Sequence, residues 1–173
     1  MNRCFMTILP AAFACSWIAQ AQTNPLINEA KAAYNTIKNN VTSMAGAVPD
    51  ADYNFKPSPD VRGFGELMGH IADVQMRFCA MALGEQKAAN AGSKTAKADL
   101  VAALKASFDE CDGLANSLTD ANATQMVGSG KGARSKLGTL VWVTTHDNEE
   151  YGYGSVYLRL KNIVPPSTQQ GMR

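Results

Sequence analysis

Few residues of this chain can do chemistry, and three of them form a pattern. Its 173 residues include only two histidines. One, His146, lies four positions before a carboxylate in Thr145-His146-Asp147-Asn148-Glu149-Glu150-Tyr151-Gly152. Residues four apart share one side of a helix, so His146 and Glu150 would project together and could hold one metal ion. The other, His70, stands in a separate apolar segment, Gly69-His70-Ile71-Ala72-Asp73. If the two segments pack together, they complete a three-ligand site with open coordination positions, the form of a metal centre that can accept water or substrate.

Other chemistries lack material. Gly128-Ser129-Gly130-Lys131-Gly132 does not complete the phosphate-cradling pattern, and no predicted strand precedes it, so it reads as a flexible loop. Neither a Gly-x-Ser-x-Gly elbow nor a His-Glu-x-x-His pair occurs, and two histidines leave little for a serine triad. A net charge of +1 gives no electrostatic reason to bind nucleic acid or an anionic membrane surface.

The chain opens like an export signal. Met1-Asn2-Arg3 is a short positive start, Cys4 to Ala19 is mostly apolar, and Ala19-Gln20-Ala21 fits a small-x-small cleavage site. The apolar stretch, interrupted by Pro10, falls short of the roughly 20 residues that span a bilayer. This reading makes residues 1–21 a cleavable signal peptide and 22–173 one domain, periplasmic or secreted, with no membrane span after cleavage. An uncleaved anchor is the alternative. The remaining chain is long enough to bury a core of its own.

Helices must position the site, because Ala, Leu, Lys and Glu abound and alternating β-branched runs are scarce. Asn24-Pro25 is a cap followed by proline at the first helical position, and Leu26, Ala30, Ala33, Ile37, Val41, Met44 and Val48 then recur at helical spacing. A second helix is predicted from about Arg62 to Leu83, with Phe64, Leu67, Ile71, Val74, Phe78 and Met81 as its stripe and Gly84 as its stop. Thr95 opens a third, with Leu100, Leu104, Phe108, Cys111, Leu114 and Leu118 on its core face. The fourth starts near Arg134, carries Leu137, Leu140, Val141, Thr144, Tyr151 and Leu158, and ends before Pro165-Pro166. Gly152 and Gly154 weaken this last helix, and a break there with a strand over Ser155 to Leu160 is the competing reading. Four amphipathic helices joined by polar loops predict an all-α four-helix bundle.

Angular placement narrows the ligand set. At 100° per residue, His146 lies about 120° and Glu150 about 80° to the same side of Leu140, whereas Glu149 points about 180° away. His70 lies about 60° off the centre of its own stripe, at the edge of the buried face. Asp73 flanks it and is a candidate to orient an imidazole from behind the ligands, although it reads first as a solvated surface carboxylate. Asp147 lies near the fourth stripe and suits a buried hydrogen bond, for example to a neighbouring helix end. Cys79 and Cys111, which remain after signal cleavage, both fall on apolar stripes and read first as buried free thiols. A disulfide between them is the alternative in an oxidising compartment.

Several blocks together resemble the DinB-like family. They are Tyr53-Asn54-Phe55-Lys56-Pro57, Arg62-Gly63-Phe64-Gly65-Glu66-Leu67 with Gly69 to Asp73, and His146 to Gly152 running through Tyr157-Leu158-Arg159 to Pro165-Pro166. The resemblance implies a four-helix bundle, often a homodimer, in which three histidines hold a divalent metal. One comes from the second helix and two, four residues apart, from the fourth. His70 and His146 match the first two, and Glu150 stands where the third histidine is expected. Two histidines and a carboxylate are a known open-site set for zinc, nickel, manganese or iron, and the added charge favours harder ions.

Family members include thiol-S-transferases and maleylpyruvate-isomerase-like proteins. The resemblance therefore implies a metal-dependent transferase or hydrolase of small molecules, in which Asn148, Tyr151 and Arg159 could shape the pocket. Two alternatives stand beside it. One is a non-catalytic stress or ligand-binding bundle with a weakened or lost metal site, and the other is a metal-free pairing of His70 with Glu150.

Overall fold

The computed structural model describes residues 24–171, and the expected signal peptide lies outside them. Four long helices carry the structure: α1 (Pro25–Ala47), α2 (Phe64–Leu83), α3 (Lys97–Ser117) and α4 (Lys136–Leu160). A short α5 (Pro166–Gly171) follows. Between α3 and α4 the chain makes a two-stranded antiparallel ribbon, β1 (Met126–Val127) with β2 (Arg134–Ser135), in which Met126 pairs with Ser135 and Val127 with Arg134. The glycine-rich segment expected to be a flexible loop is the tip of this ribbon. Among the described residues no helix is long and apolar enough to cross a membrane.

Local chemistry sets the helix ends. The Asn24 side chain accepts a hydrogen bond from the Leu26 amide at 3.0 Å ahead of Pro25, which cannot donate one. The Glu66 carboxylate accepts from the Gly63 amide at 2.6 Å and closes the first turn of α2. Gly84 ends that helix at φ 81°, in the left-handed region that glycine enters without strain. Ser135 caps α4 by accepting from the Gly138 amide at 2.9 Å.

Packing is closest between α2 and α3 and between α1 and α4, while α2 also faces α4. The shared core contains Tyr34, Ile37 and Met44 from α1, Leu67, Met68 and Ile71 from α2, Leu104 and Phe108 from α3, and Leu140, Val143 and Leu158 from α4. Each such side chain stabilises the fold by roughly 1.5–3 kcal/mol through removal from water. The predicted stripe of α1 is rotated in one respect. Leu26 is 62 % exposed and Ala33 is also outside, and Ile27 and Tyr34 face the core instead. Val141, assigned to the stripe of α4, is exposed as well.

No break interrupts α4 at Gly152 or Gly154, so the strand reading for Ser155 to Leu160 is overturned. Gly154 is where α4 meets α1: a Cβ there would lie 2.5 Å from Met44 Sδ. Packing against Met44 offsets the propensity cost of the glycine.

Cys79 and Cys111 are joined by a disulfide that links α2 to α3. The free-thiol reading is thereby corrected. Both residues sit on core-facing stripes, and because those two helices pack most closely the two sulfurs meet.

Candidate metal centre

His70 comes from the middle of α2, and His146 and Glu150 come from successive turns of α4. The α2–α4 contact brings them together. His70 Nε2 and His146 Nε2 are 3.1 Å apart. Glu150 Oε1 is 3.4 Å from His70 Nε2 and 3.7 Å from His146 Nε2. The circle through three atoms at these separations has a radius of about 2.0 Å, the length of a Zn–N or Zn–O bond. Three donors from two segments distant in sequence therefore already surround a volume of ionic size.

A second observation tests the fit. Glu150 Oε2 is buried without a hydrogen-bond partner among the described residues. A carboxylate oxygen removed from water and left unpaired costs about 1–3 kcal/mol or more, and a cation beside it would remove that cost. Burial pushes the Glu150 carboxyl above its ordinary range, opposed by His146 and Arg62. His70 is pushed the other way, below 6.5, first by burial and then by the charges of Arg62 and His146. A histidine held toward its neutral form and an unsatisfied carboxylate are what a divalent cation takes as ligands. Exposure is graded across the triad, 28 % for the His70 side chain against 12 % for His146 and 8 % for Glu150, so the site opens on the His70 side.

Behind His146 lies a buried polar chain. Its Nδ1 is 3.2 Å from Asp147 Oδ1. Gln75 Nε2 donates to Asp147 Oδ2 at 2.7 Å, and Ser107 Oγ donates to Gln75 Oε1 at 3.1 Å. All three supporting residues are fully buried. With the imidazole proton on Nδ1, facing Asp147, the lone pair of Nε2 points at the other two donors. Burial raises the Asp147 carboxyl, while its bonds to His146 and Gln75 pull it back. On the outer side, the Trp142 ring stacks on His146 with centroids 5.7 Å apart, and the Arg134 guanidinium lies 4.6 Å over Trp142.

The other sequence candidates lie elsewhere. Asp73 accepts from the Ala91 and Gly92 amides at 2.6 and 2.9 Å, holding the α2–α3 connection and not an imidazole. Asn148 donates to the Thr144 carbonyl of its own helix. The Tyr151 hydroxyl is bound to Ser167, and Arg159 donates to Thr168, so both hold α5 in place. Asp147, Gln75 and Arg62 were missed as site residues. Gln75 was detectable as an amide between Val74 and Phe78 on an otherwise apolar stripe.

A cleft of about 700 Å³ adjoins the triad. Glu150 forms part of its wall with Arg62, Leu67 and Tyr157, and the Pro57-Ser58-Pro59 connection lines it as well.

The family model of the DinB superfamily matches residues 33–153 of this chain. The fold is similar to the crystal structure of a DinB-like protein from Bacillus cereus ATCC 10987, with a TM-score of 0.68 and 14% identity over 81% of this chain and 95% of that one. It is also similar to a DinB-like protein from Bacillus subtilis, with a TM-score of 0.62 and 18% identity over 80% of this chain and 92% of that one. No curated protein matches the sequence.

Proposed function

This chain belongs to the DinB superfamily, and from that premise we propose that it is a divalent-metal protein acting on small molecules, its ion held by His70, His146 and Glu150. The observation that carries the reading is the convergence of three donor atoms, His70 Nε2, His146 Nε2 and Glu150 Oε1, 3.1 to 3.7 Å apart, on a carboxylate whose other oxygen is buried without a partner among the described residues. The mixed nitrogen and oxygen set suits zinc, nickel, manganese or iron. When bound, such an ion supplies Lewis acidity and lowers the pKa of a coordinated water or thiol.

The remaining roles belong to the protein. Asp147, held by Gln75, keeps His146 in the tautomer that presents Nε2. Trp142 covers the outer face of His146, and the cleft beside Glu150 gives a small molecule room next to the ligands. Glu150 is committed as a ligand, so the triad contains no separate general base. Transfer or hydrolysis at a polarised group is the chemistry this arrangement favours.

We further infer that the protein works in the periplasm or outside the cell. The Cys79–Cys111 disulfide is a bond that persists in oxidising compartments, and it supports that reading together with the leader-like start of the sequence.

The test is the metal content of the purified full chain, beside His70→Ala and Glu150→Ala. One equivalent of metal in the parent and none in either variant is the expected result. A metal-free parent that takes up nothing from a panel of divalent ions would overturn the proposal. It would leave His70 and Glu150 as a buried pair.

A further inference from the structure

We propose that the cleft beside the metal ligands takes small organic acids, with Arg62 holding the carboxylate at the inner end and the apolar wall covering the rest of the molecule. The inference rests on the metal reading above and names its substrate class.

Two cations line the cleft, Lys56 and Arg62. Lys56 already faces Glu66 at 3.8 Å. Arg62 makes no ion pair among the described residues and shares the cleft wall with Glu150. Its main chain is anchored there: the Arg62 carbonyl accepts a hydrogen bond from the hydroxyl of Tyr157, another residue of the cleft wall, at 2.8 Å. Asp60 and Glu66 also line the cleft and balance its two cations, which leaves the charge of Glu150 as the remainder.

In the metal-free site the charges of Arg62 and Glu150 oppose each other. A divalent cation carries one charge more than Glu150 neutralises, so its coordination leaves this end of the cleft with an excess of positive charge. A carboxylate restores the balance, and a guanidinium binds one through two parallel N–H donors. Beyond that end the wall is Pro57, Val61, Tyr153 and Val156, with Val61, Tyr153 and Val156 exposed apolar surface. An acid with an aromatic or aliphatic body would cover this surface, as apolar walls with a few placed polar groups do in ligand sites. Sugars and other fully polar neutral molecules match neither half.

The experiment uses the full chain loaded with zinc, phenylacetate, its neutral isostere phenylacetamide, and the variant Arg62→Gln. Zinc uptake is measured first, by metal content, and binding of the two ligands then by calorimetry and ligand-observed NMR. Phenylacetate is expected to bind the parent about tenfold or more tightly than phenylacetamide, the worth of a hydrogen bond to a charged group. Arg62→Gln is expected to lose that preference while keeping its zinc and its weak affinity for the amide.

Equal binding of acid and amide overturns the inference, as does an acid preference that survives Arg62→Gln or no phenylacetate binding at about 10 mM, where fragments of this size are normally detected. Zinc uptake without acid preference sinks this inference alone and leaves the metal centre standing. Failure of the parent to take zinc or any other divalent ion removes the metal reading and this inference with it.

Discussion

Replacing Glu150 by glutamine should move stability in opposite directions with and without metal. The Glu150 carboxylate is 8 % exposed and one of its oxygens has no partner. Neutralising it removes the charge from a buried group with an unpaired oxygen, although the amide still needs partners. Because the side chain also borders the cleft, the gain belongs at the low end of the usual range, about 1 kcal/mol. For a domain of this size that is a rise in Tm of roughly 2–4 °C in the metal-free protein.

With metal the order reverses. At a free ion concentration of 100 times the parent Kd, binding stabilises the parent by about 2.7 kcal/mol, or roughly 5–10 °C. If loss of the carboxylate weakens binding about 100-fold, the same concentration gives the variant only about 0.4 kcal/mol, near 1 °C. Differential scanning fluorimetry of parent and variant, with chelator and with a zinc series, reads all four states. A Glu150→Gln protein that keeps the full metal-induced rise would refute the argument. So would a metal-free variant that melts several degrees below the parent.

Three further outcomes follow from the same geometry. Asp147→Asn keeps the size of the side chain but removes the charge facing His146 Nδ1, and should weaken metal binding about 10- to 100-fold in chelator competition; unchanged affinity would remove Asp147 from the site. Reduction of Cys79–Cys111, which are 32 residues apart, should cost about 3–4 kcal/mol and lower the Tm of the parent. A Cys79→Ser/Cys111→Ser protein should then show no response to reductant, and a reductant-insensitive parent would contradict the pairing. Because the His70 pKa is lowered below 6.5, that imidazole is neutral at pH 7 and is protonated only on acidification past its usual range. Metal affinity measured by calorimetry should therefore be flat with respect to His70 near neutrality and fall below pH 6.5; a steep loss already above pH 7 would show the opposite shift.

The helices were legible because their signals are local. Asn24-Pro25 and Gly84 mark ends within a residue or two, and the stripes of α2 and α3 needed no knowledge of partners. Helical angle alone also selected Glu150 over Glu149, which the structure turns outward to accept from Tyr153. What periodicity could not supply was contact between helices. It could not show that Gly154 meets Met44, so α4 read as breakable, nor that the apolar positions Cys79 and Cys111 face each other.

The same blindness misassigned the support of the imidazole. Asp73 is the nearer acid to His70 along the sequence, yet its partners are the amides of Ala91 and Gly92 some 18 residues on. Asp147, beside His146, was recognisable only as a buried hydrogen-bonding acid, because its partner Gln75 comes from α2. Arg62 carries no periodic signal at all. Its place beside the cleft follows from the Tyr157 bond to its carbonyl, a contact spanning 95 positions.

The most direct test is a crystal of the metal-loaded protein with diffraction recorded on both sides of the absorption edge of the bound ion. A single anomalous peak about 2.0–2.2 Å from His70 Nε2, His146 Nε2 and a Glu150 carboxylate oxygen is the predicted result. A peak elsewhere on the molecule, or one touching the imidazoles with Glu150 swung away, would contradict it.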